Sequence, residues 1–474
     1  MTSSDELTGL DVVALADRIR RRELSPVELT ESFLRRIERL DSRLKCYITV
    51  TADQAREAAR RAEAEIAGGA YRGPWHGIPI ALKDLCAVRG VRNTGGSKIL
   101  ADQIAAADCT VWARLQAAGA VLLGKLNLHE FAAGLTNTNQ HWGTCRNPYN
   151  LERIPGGSSG GSAAAVVAGL AAATIGTDTG GSIRIPAAFC GCVGIKPTYS
   201  RVSRYGILPL ADSLDHAGPI TRSVRDAALM LNAIAGYDAS DSTSSREPVP
   251  DYLAACDGGL AATRVGVIKE LTTGLSADVA VSFNRALDHL RSRGAALTEV
   301  SIPSIAHIAA ISTTITFVEA AEYHERWLRE RPDDYSVDVR RAFEAGMLMP
   351  ALHYVRAQRA RAVMVAEALA ALDRNQVLVA PTAAIPAPLI DRGARTLMPN
   401  GEPVDVVASV LRFTAPFNVT GQPALAIPTG LSADGLPLSM QIIGRPFDEA
   451  AVFRIAAAYE ETRGPLPAPT ALAA

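Results

Sequence analysis

The chain has 474 residues, of which 48% are hydrophobic and 20% are charged, and its formal net charge is -1. This balance is ordinary for a globular protein with a large core, and it excludes a strongly basic surface for nucleic acid or an anionic membrane. The seven cysteines are scattered and odd in number, and the Cys190–Cys192 pair lacks the partner residues of a metal site. We therefore expect no disulfide framework, no metal and no cofactor.

The amino-terminal segment lacks the basic start and the continuous apolar stretch of a signal peptide. The longest apolar region, 160–177, is short, broken by glycine and rich in small residues, so it indicates buried core rather than a membrane span. We expect a cytoplasmic protein with no membrane partner.

Residues 8–70 have the pattern of a helical region. The stretch "LSPVEL" places Ser25 as an N-cap, Pro26 at the first helical turn and Glu28 three residues after the serine. This arrangement is a capping box, so it predicts a helix that starts at Pro26.

Helices then alternate with short apolar strands. Residues 76–88 form an apolar strand interrupted by Lys83, and residues 108–127 predict a helix capped by Asp108, ended by Gly119 and followed by a buried strand. The same alternation recurs at 162–177, 285–300 and 365–380. It predicts an α/β fold whose sheet is covered by helices on both faces.

We expect a single domain over residues 1–474. Its predicted parts, in chain order, are a helical region at 8–70, a catalytic core at 71–237, a linker-like stretch at 238–250, a helical insertion at 305–373 and closing strands at 376–460.

Three segments indicate chemistry: "ALKD" with Lys83, "GGSSGGS" with Ser158 and Ser159, and "GTDTGGSIRIP" with Ser182. The glycine-rich loop lacks the lysine of a phosphate-binding loop and the spacing of a dinucleotide-binding turn. Glycine-rich turns also let backbone amides converge, because no Cβ stands in the way. The backbone amides that would converge near a helix N-terminus and stabilise an oxyanion are those of Thr179, Gly180, Gly181 and Ser182.

A serine nucleophile at position 182 needs a base. The sequence has no G-x-S-x-G motif, and its eight histidines include no evident partner for a triad, although His129 and His141 lie between the motifs. Burial lowers the pKa of a lysine towards neutrality, so Lys83 is the alternative base.

Lys83, the loop "GGSSGGSAAAVVAG" and the stretch "GTDTGGSIRIPAAFCGCVGIKPTYSRVSRYG" closely resemble the amidase signature family of serine hydrolases. The resemblance is strong over 8–240 and looser over 376–460. It implies a large α/β/α fold with a mixed, twisted central sheet, and a Ser–cisSer–Lys triad that cleaves amides. Carried over, Ser182 is the nucleophile, Ser158 the bridging serine after a cis peptide at Gly157, and Lys83 the base.

Further residues follow from the same motifs. Asp178 and Arg184 flank the nucleophile with opposite charges, so we expect them to brace the loop by pairing. Ser159 either assists by hydrogen bonding or is structural. The substrate pocket is expected from residues 129–142, 182–186, 305–325 and 410–420, with Phe317, Phe413 and Arg341 as candidate contacts.

The stretch at 200–224 is especially similar to the glutamine-hydrolysing subunit of tRNA-dependent amidotransferases. That subunit has an acidic residue before the "FT" of the segment corresponding to 411–428, where this chain has Leu411; its carboxylate-binding arginine corresponds to Arg341 or Arg340. We therefore favour a stand-alone amidase that releases ammonia or an amine from a small carboxamide and has no nucleic-acid partner. The resemblance also implies a homodimer, since family members are often dimers. The alternatives are a non-catalytic scaffold of the same fold, a carboxylesterase, and the glutamine-hydrolysing component of an amidotransferase.

Overall fold

A computed structural model describes residues 4–390, 395–397 and 403–472, and its centre is an 11-stranded sheet flanked by helices. The strands are β1 (Tyr47–Val50), β2 (Pro79–Lys83), β3 (Val121–Leu126), β4 (Thr138–Asn139), β5 (Gly143–Thr144), β6 (Ala173–Asp178), β7 (Val193–Lys196), β8 (His216–Thr221), β9 (Arg264–Ile268), β10 (Ala296–Val300), β11 (Val377–Pro381), β12 (Arg395–Leu397), β13 (Pro403–Asp405), β14 (Ala424–Leu431) and β15 (Pro437–Ile443).

The helices alternate with these strands along most of the chain. They are α1 (Ser4–Leu7), α2 (Val12–Arg20), α3 (Pro26–Leu44), α4 (Ala52–Ala67), α5 (Thr110–Ala117), α6 (Gly160–Val167), α7 (Arg184–Cys190), α8 (Val224–Ile234), α9 (Tyr252–Ala255), α10 (Ala277–Ser292), α11 (Ile308–Glu330), α12 (Val337–Met347), α13 (Ala351–Leu372), α14 (Val406–Thr414), α15 (Pro416–Val419) and α16 (Glu449–Arg463).

The sheet has the order β1-β3-β2-β6-β8-β7-β14-β15-β11-β9-β10. Strand β2 is parallel to both neighbours, β3 and β6, and β9 is parallel to both β10 and β11. The pairs β6–β8, β7–β8, β7–β14 and β14–β15 are antiparallel, so the sheet is mixed. The predicted α/β/α fold with a mixed central sheet is confirmed.

The parallel pair β2–β6 positions the candidate site. Carboxyl ends of parallel strands meet at one edge of a sheet, and ligands of α/β proteins bind beyond that edge. Lys83 is the last residue of β2, and Asp178 is the last residue of β6. The glycine-rich segment at 155–159 leads into α6 beside them.

The predicted helix starts are confirmed in one case and wrong in another. The Ser25 hydroxyl accepts hydrogen bonds from the amides of Val27 and Glu28, as a capping serine should. Asp108 does not cap α5: its carboxylate accepts the amide of Arg89, and the cap is Cys109, whose Sγ accepts from an amide of the first turn. The carboxylate is drawn away because the preceding loop offers it a competing donor.

Helix α11 packs against both α12 and α13 within the segment predicted as an insertion. By length and composition alone, Pro303–Glu330 could cross a membrane, with a mean hydropathy of 1.3 in its most apolar window. Helix α11 nevertheless packs against α12, α13 and α14, an arrangement typical of a helix within a folded core.

Candidate functional site

Lys83 is a fully buried lysine at the end of β2. Its Nζ lies 2.8 Å from the Ser158 Oγ and 2.8 Å from the Thr177 Oγ1. Burial lowers the pKa of Lys83 to about 7, against smaller opposing effects from Cys86, Asp178 and Asp215. Near neutral pH a large fraction of this amine is therefore uncharged and able to accept a proton.

Ser158 is also fully buried and follows a cis peptide bond at Gly157. The backbone of this loop approaches its neighbours closely. A Cβ on Gly157 would lie 2.9 Å from the carbonyl carbon of Leu135 and 3.0 Å from the amide of Asn137. Position 157 therefore requires glycine, because any side chain would push the loop away from Lys83.

Ser182 lies on the turn between β6 and α7, is 3% exposed and lines a cavity. Its carbonyl accepts the Ser159 amide at 3.2 Å, which joins the two serine loops through the backbone. Its hydroxyl makes no hydrogen bond within the described part of the chain, so the Ser158–Ser182 hydroxyl pair is not bonded in this conformation. The N-cap of α7 is Ile183, so Ser182 is not used as a helix cap.

The turn after β6 presents three free amides rather than the four predicted. Among the described residues, the amides of Thr179, Gly180 and Ser182 have no hydrogen-bond acceptor. The Gly181 amide donates to the Asp178 Oδ1 at 2.7 Å, so it is already occupied. The expectation that Gly181 contributes to an oxyanion hole is therefore wrong, because its amide instead shapes the turn.

Asp178 and Arg184 form an ion pair in which both side chains are fully buried. The guanidinium donates to Oδ1 at 3.0 Å and, through Nε, to Oδ2 at 3.1 Å. Burial alone would raise the pKa of Asp178, but the charge and hydrogen bonds of Arg184 outweigh it and hold the pKa well below its usual range. Arg184 also donates to Asn418 at 2.6 Å and to Gln441 at 3.1 Å, which anchors the turn to α15 and β15.

Ser159 has a structural role, and its hydroxyl makes no hydrogen bond to Lys83 or Ser158. Its hydroxyl donates to the Thr177 carbonyl at 3.1 Å and accepts the Thr177 amide at 3.2 Å. These two bonds pin the glycine-rich loop to β6 and so hold the neighbouring Ser158 against Lys83.

The sequence reasoning missed Thr177 and Asp215. Thr177 is the second partner of the lysine amine, and Asp215 accepts the Thr179 hydroxyl at 2.5 Å and the Leu210 amide at 2.8 Å. Burial raises the pKa of Asp215 to about 6. The signal was present in the sequence, since an aspartate stands just before the apolar strand at 216–221, but only the fold shows that it faces Thr179.

The cavity above Ser182 has a volume of about 150 Å³. Its described lining comes from the 132–135 loop, the turn after β6, α11 and α14, and it contains no charged side chain: Ala132, Ala133, Gly134, Leu135, Thr179, Gly180, Ser182, Leu210, Ser312, Thr313, Thr316, Phe317, Val407 and Leu411. The cavity is thus small and uncharged over the described residues.

Of the candidate substrate contacts, only Phe317 lines this cavity. Phe413 is fully buried and its side chain belongs to the apolar core, because α14 turns Leu411 rather than Phe413 towards Ser182. Arg341 is exposed on α12 and does not line the cavity, and Arg340 pairs with acidic neighbours instead. The predictions for Phe413 and Arg341 are therefore wrong.

The two candidate histidines also lie outside the cavity lining. His129 Nε2 is 3.0 Å from the Asp338 Oδ2, and its ring packs against Gly134, where a Cβ would come within 2.3 Å of it. His141 Nε2 is 3.1 Å from the buried carboxylate of Glu130. Both histidines are engaged with carboxylates, and His129 supports a wall of the cavity.

The chain is similar in sequence and in structure to known proteins. The sequence model of the Amidase family matches residues 28–453. The chain is 42% identical over 481 residues to a subunit of the glutamyl-tRNA(Gln) amidotransferase of Geotalea daltonii, and the match covers 96% of this chain and 98% of that protein.

Two solved structures extend the comparison. A chain from "An unexpected vestigial protein complex reveals the evolutionary origins of an s-triazine catabolic enzyme" superposes with a TM-score of 0.91 at 34% identity, covering 96% of this chain and 98% of the other. Peptide amidase in complex with the inhibitor chymostatin superposes with a TM-score of 0.82 at 32% identity, covering 97% and 98%.

Proposed function

The chain belongs to the amidase signature family of hydrolases, which cleave amide C–N bonds, and from that premise we propose that it hydrolyses a small carboxamide through an acyl intermediate on Ser182. The products are a carboxylic acid and ammonia or an amine. The observation that carries the proposal is the 2.8 Å hydrogen bond between the buried Lys83 amine and the Ser158 hydroxyl, next to the Ser182 turn.

The proposed proton path runs from Ser182 through Ser158 to Lys83. The uncharged amine accepts the Ser158 proton as Ser158 accepts the Ser182 proton, so the Ser182 oxygen attacks the substrate carbonyl. Hydrogen bonds of this kind often tighten only when substrate is bound, which suits the unbonded Ser182 hydroxyl.

The tetrahedral intermediate needs donors for its oxyanion. The free amides of Thr179, Gly180 and Ser182 supply them, and the Asp178–Arg184 pair keeps their turn in place. The proton then returns through Ser158 to the leaving nitrogen, the C–N bond breaks, and water hydrolyses the acyl-serine by the same route.

The cavity supports a neutral amide better than free glutamine. Glutamine carries an ammonium and a carboxylate, and burying either one without a partner is costly. Leu411, at the position where the amidotransferase subunit has an acid, lines the cavity and packs close to Gly180. No arginine or lysine among the described lining residues faces Ser182.

A second candidate is the glutamine-hydrolysing subunit of a tRNA-dependent amidotransferase. The observation that favours it is the 42% identity to such a subunit over 98% of that protein's length. In that case the chain would act within a complex, and its ammonia would pass to an acceptor held by a partner protein.

One experiment separates the two candidates. The purified chain is incubated with aliphatic amides, aryl amides and glutamine, and ammonia release is measured with and without amidotransferase partner subunits. We expect turnover of neutral amides by the chain alone, loss of turnover in Ser182→Ala, and labelling of Ser182 by a fluorophosphonate probe. Ser162→Ala is the matched control, because this buried serine bonds the Ile175 carbonyl away from the site.

Glutaminase activity that appears only with partner subunits would instead support the amidotransferase candidate. Full activity in Ser182→Ala would refute the assignment of the nucleophile under either candidate.

A further inference from the structure

Helix α11 turns a group of hydroxyls towards the nucleophile. Ser312, Thr313, Thr316 and Phe317 line the cavity above Ser182, and their spacing places them on one side of the helix. Serine and threonine are weak helix formers in the interior of a helix. The stretch 312–316 contains four such residues, and three of them line the cavity, so helix stability does not account for their presence.

These hydroxyls are not used by the protein itself. None of the three forms a hydrogen bond to a residue in the described ranges, although Ser312 is only 4% exposed. Serine and threonine in helices commonly bond back to the carbonyl of the preceding turn. Other helical residues in the described ranges do so, among them Ser32, Ser292, Ser409, Thr414 and Thr462.

One wall of the cavity is apolar where it is formed by Leu210 and by two residues of α14, Val407 and Leu411. A bound molecule would therefore meet hydrocarbon on this wall, hydroxyls on the α11 side and the Ser182 hydroxyl at the reacting carbon. Hydroxyls both donate and accept, so they suit a group that does the same without a charge.

We infer that the cavity binds the acyl part of a neutral amide that carries a second uncharged hydrogen-bonding group, such as a carboxamide or a hydroxyl, and that Ser312 and Thr316 select for this group. The inference rests on the proposed function, because it concerns the substrate of the same site. A volume of about 150 Å³ indicates a small acyl group rather than a large one.

Three probes of one shape test this inference. Succinamide ends in a carboxamide, 4-methylpentanamide replaces that end with an apolar isostere, and succinamate replaces it with a carboxylate. We expect kcat/KM to be highest for succinamide and at least about 100-fold lower for succinamate, because the described lining offers the carboxylate no counter-charge.

The variants Ser312→Ala and Thr316→Val test whether these two side chains select the uncharged hydrogen-bonding group of the substrate. A hydrogen bond between uncharged groups changes an equilibrium by a factor of about 2 to 10. We expect each variant to lower the ratio of kcat/KM for succinamide over 4-methylpentanamide about three- to tenfold. Thr314→Val is the matched control, since Thr314 is on the same helix but does not line the cavity, and it should leave the ratio unchanged.

Binding to the Ser182→Ala variant gives a second readout that does not need turnover. Thermal shifts with the three probes should rank them in the same order. The inference would be overturned by an unchanged succinamide to 4-methylpentanamide ratio in both hydroxyl variants, or by a preference for succinamate in either assay. The proposed function would still stand in that case if 4-methylpentanamide were hydrolysed in a Ser182-dependent way. Wild-type protein that hydrolyses no amide and resists the fluorophosphonate probe would instead refute the proposed function, with the binding order still deciding the inference.

Discussion

Replacing Lys83 with methionine should stabilise the fold at neutral pH while abolishing activity. The amine is buried with a pKa of about 7, whereas its ordinary value is 10.5. Between these two values the unfolded chain binds more protons than the folded chain, so the free energy of unfolding of the wild type rises with pH across this window. Methionine has a similar shape and no charge, so Lys83→Met lacks this dependence.

The size of the effect follows from the two pKa values. At pH 7 the unfolded chain holds the proton almost fully and the folded chain about half, which costs the wild type about 4 kcal/mol relative to an unshifted lysine. At pH 9 the same cost is about 2 kcal/mol. The Ser158 and Thr177 hydroxyls lose their partner in the variant, which offsets about 1–3 kcal/mol of the gain at any pH.

The assay is urea denaturation of wild type and Lys83→Met in parallel at pH 7, 8 and 9. The difference in unfolding free energy between the two proteins should shrink by about 2 kcal/mol over this range. Other titrating groups, such as the buried Lys196, are present in both proteins and cancel in the difference. Ser158→Ala keeps the lysine, so as the control it should retain the pH dependence of the wild type.

The same ionisation should appear in catalysis. For wild type, kcat/KM should rise with pH up to about 7 and then level off, because only the uncharged amine accepts a proton. A stability difference that is constant from pH 7 to 9, or an activity limb that titrates near 4 or near 10, would refute the reasoning that Lys83 is a neutral base.

Two further predictions concern the turn that holds the nucleophile. Arg184→Met leaves the Asp178 carboxylate buried without its counter-charge and should lower the free energy of unfolding by about 3–5 kcal/mol in urea denaturation, with part of the loss restored by adding Asp178→Asn; a loss under about 1 kcal/mol would contradict this. Gly181→Ala places a Cβ 2.3 Å from the Thr414 Oγ1 at a residue with φ of +137°. The turn must then shift together with the free amides of Gly180 and Ser182, so kcat should fall about 100-fold in the ammonia assay. Gly90→Ala also has positive φ but open space around it, and if it reduced kcat equally, backbone strain alone would explain the loss.

The sequence was most informative where chemistry depends on local motifs. The grouping of Lys83, Ser158 and Ser182 was predicted from the resemblance of their three segments to the amidase signature family, and the Lys83–Ser158 hydrogen bond agrees with it. The Asp178–Arg184 pair could also be predicted, because the two charges lie on either side of one tight turn and few partners are available to them.

Contacts across the fold could not be predicted in this way. Thr177 reaches Lys83 because β6 pairs with β2, and Asp215 reaches Thr179 because β8 pairs with β6 in one particular register. Gly181 was misjudged because a glycine-rich turn suggests free amides, whereas the Asp178 carboxylate accepts one of them. Phe413 was misjudged because the sequence does not show which face of α14 points towards the cavity. That face carries Leu411, and Phe413 packs in the apolar core.

Whether the substrate is a neutral amide or glutamine cannot be decided from overall sequence identity. Sequence identity weights every position equally, and most of the 42% shared with the amidotransferase subunit lies outside the fourteen described residues that line the cavity. The sheet, the Lys83–Ser158 bond and the Asp178–Arg184 brace would serve any amide hydrolase of this fold, so they do not distinguish one substrate from another. Under the proposed function, selection between neutral amides and glutamine rests instead on α11 and α14, where Ser312, Thr316 and Leu411 line the cavity that contains Ser182. A high overall identity is therefore compatible with a different substrate, and we expect an exchange of a few side chains on these two helices to change the charge that the cavity accepts.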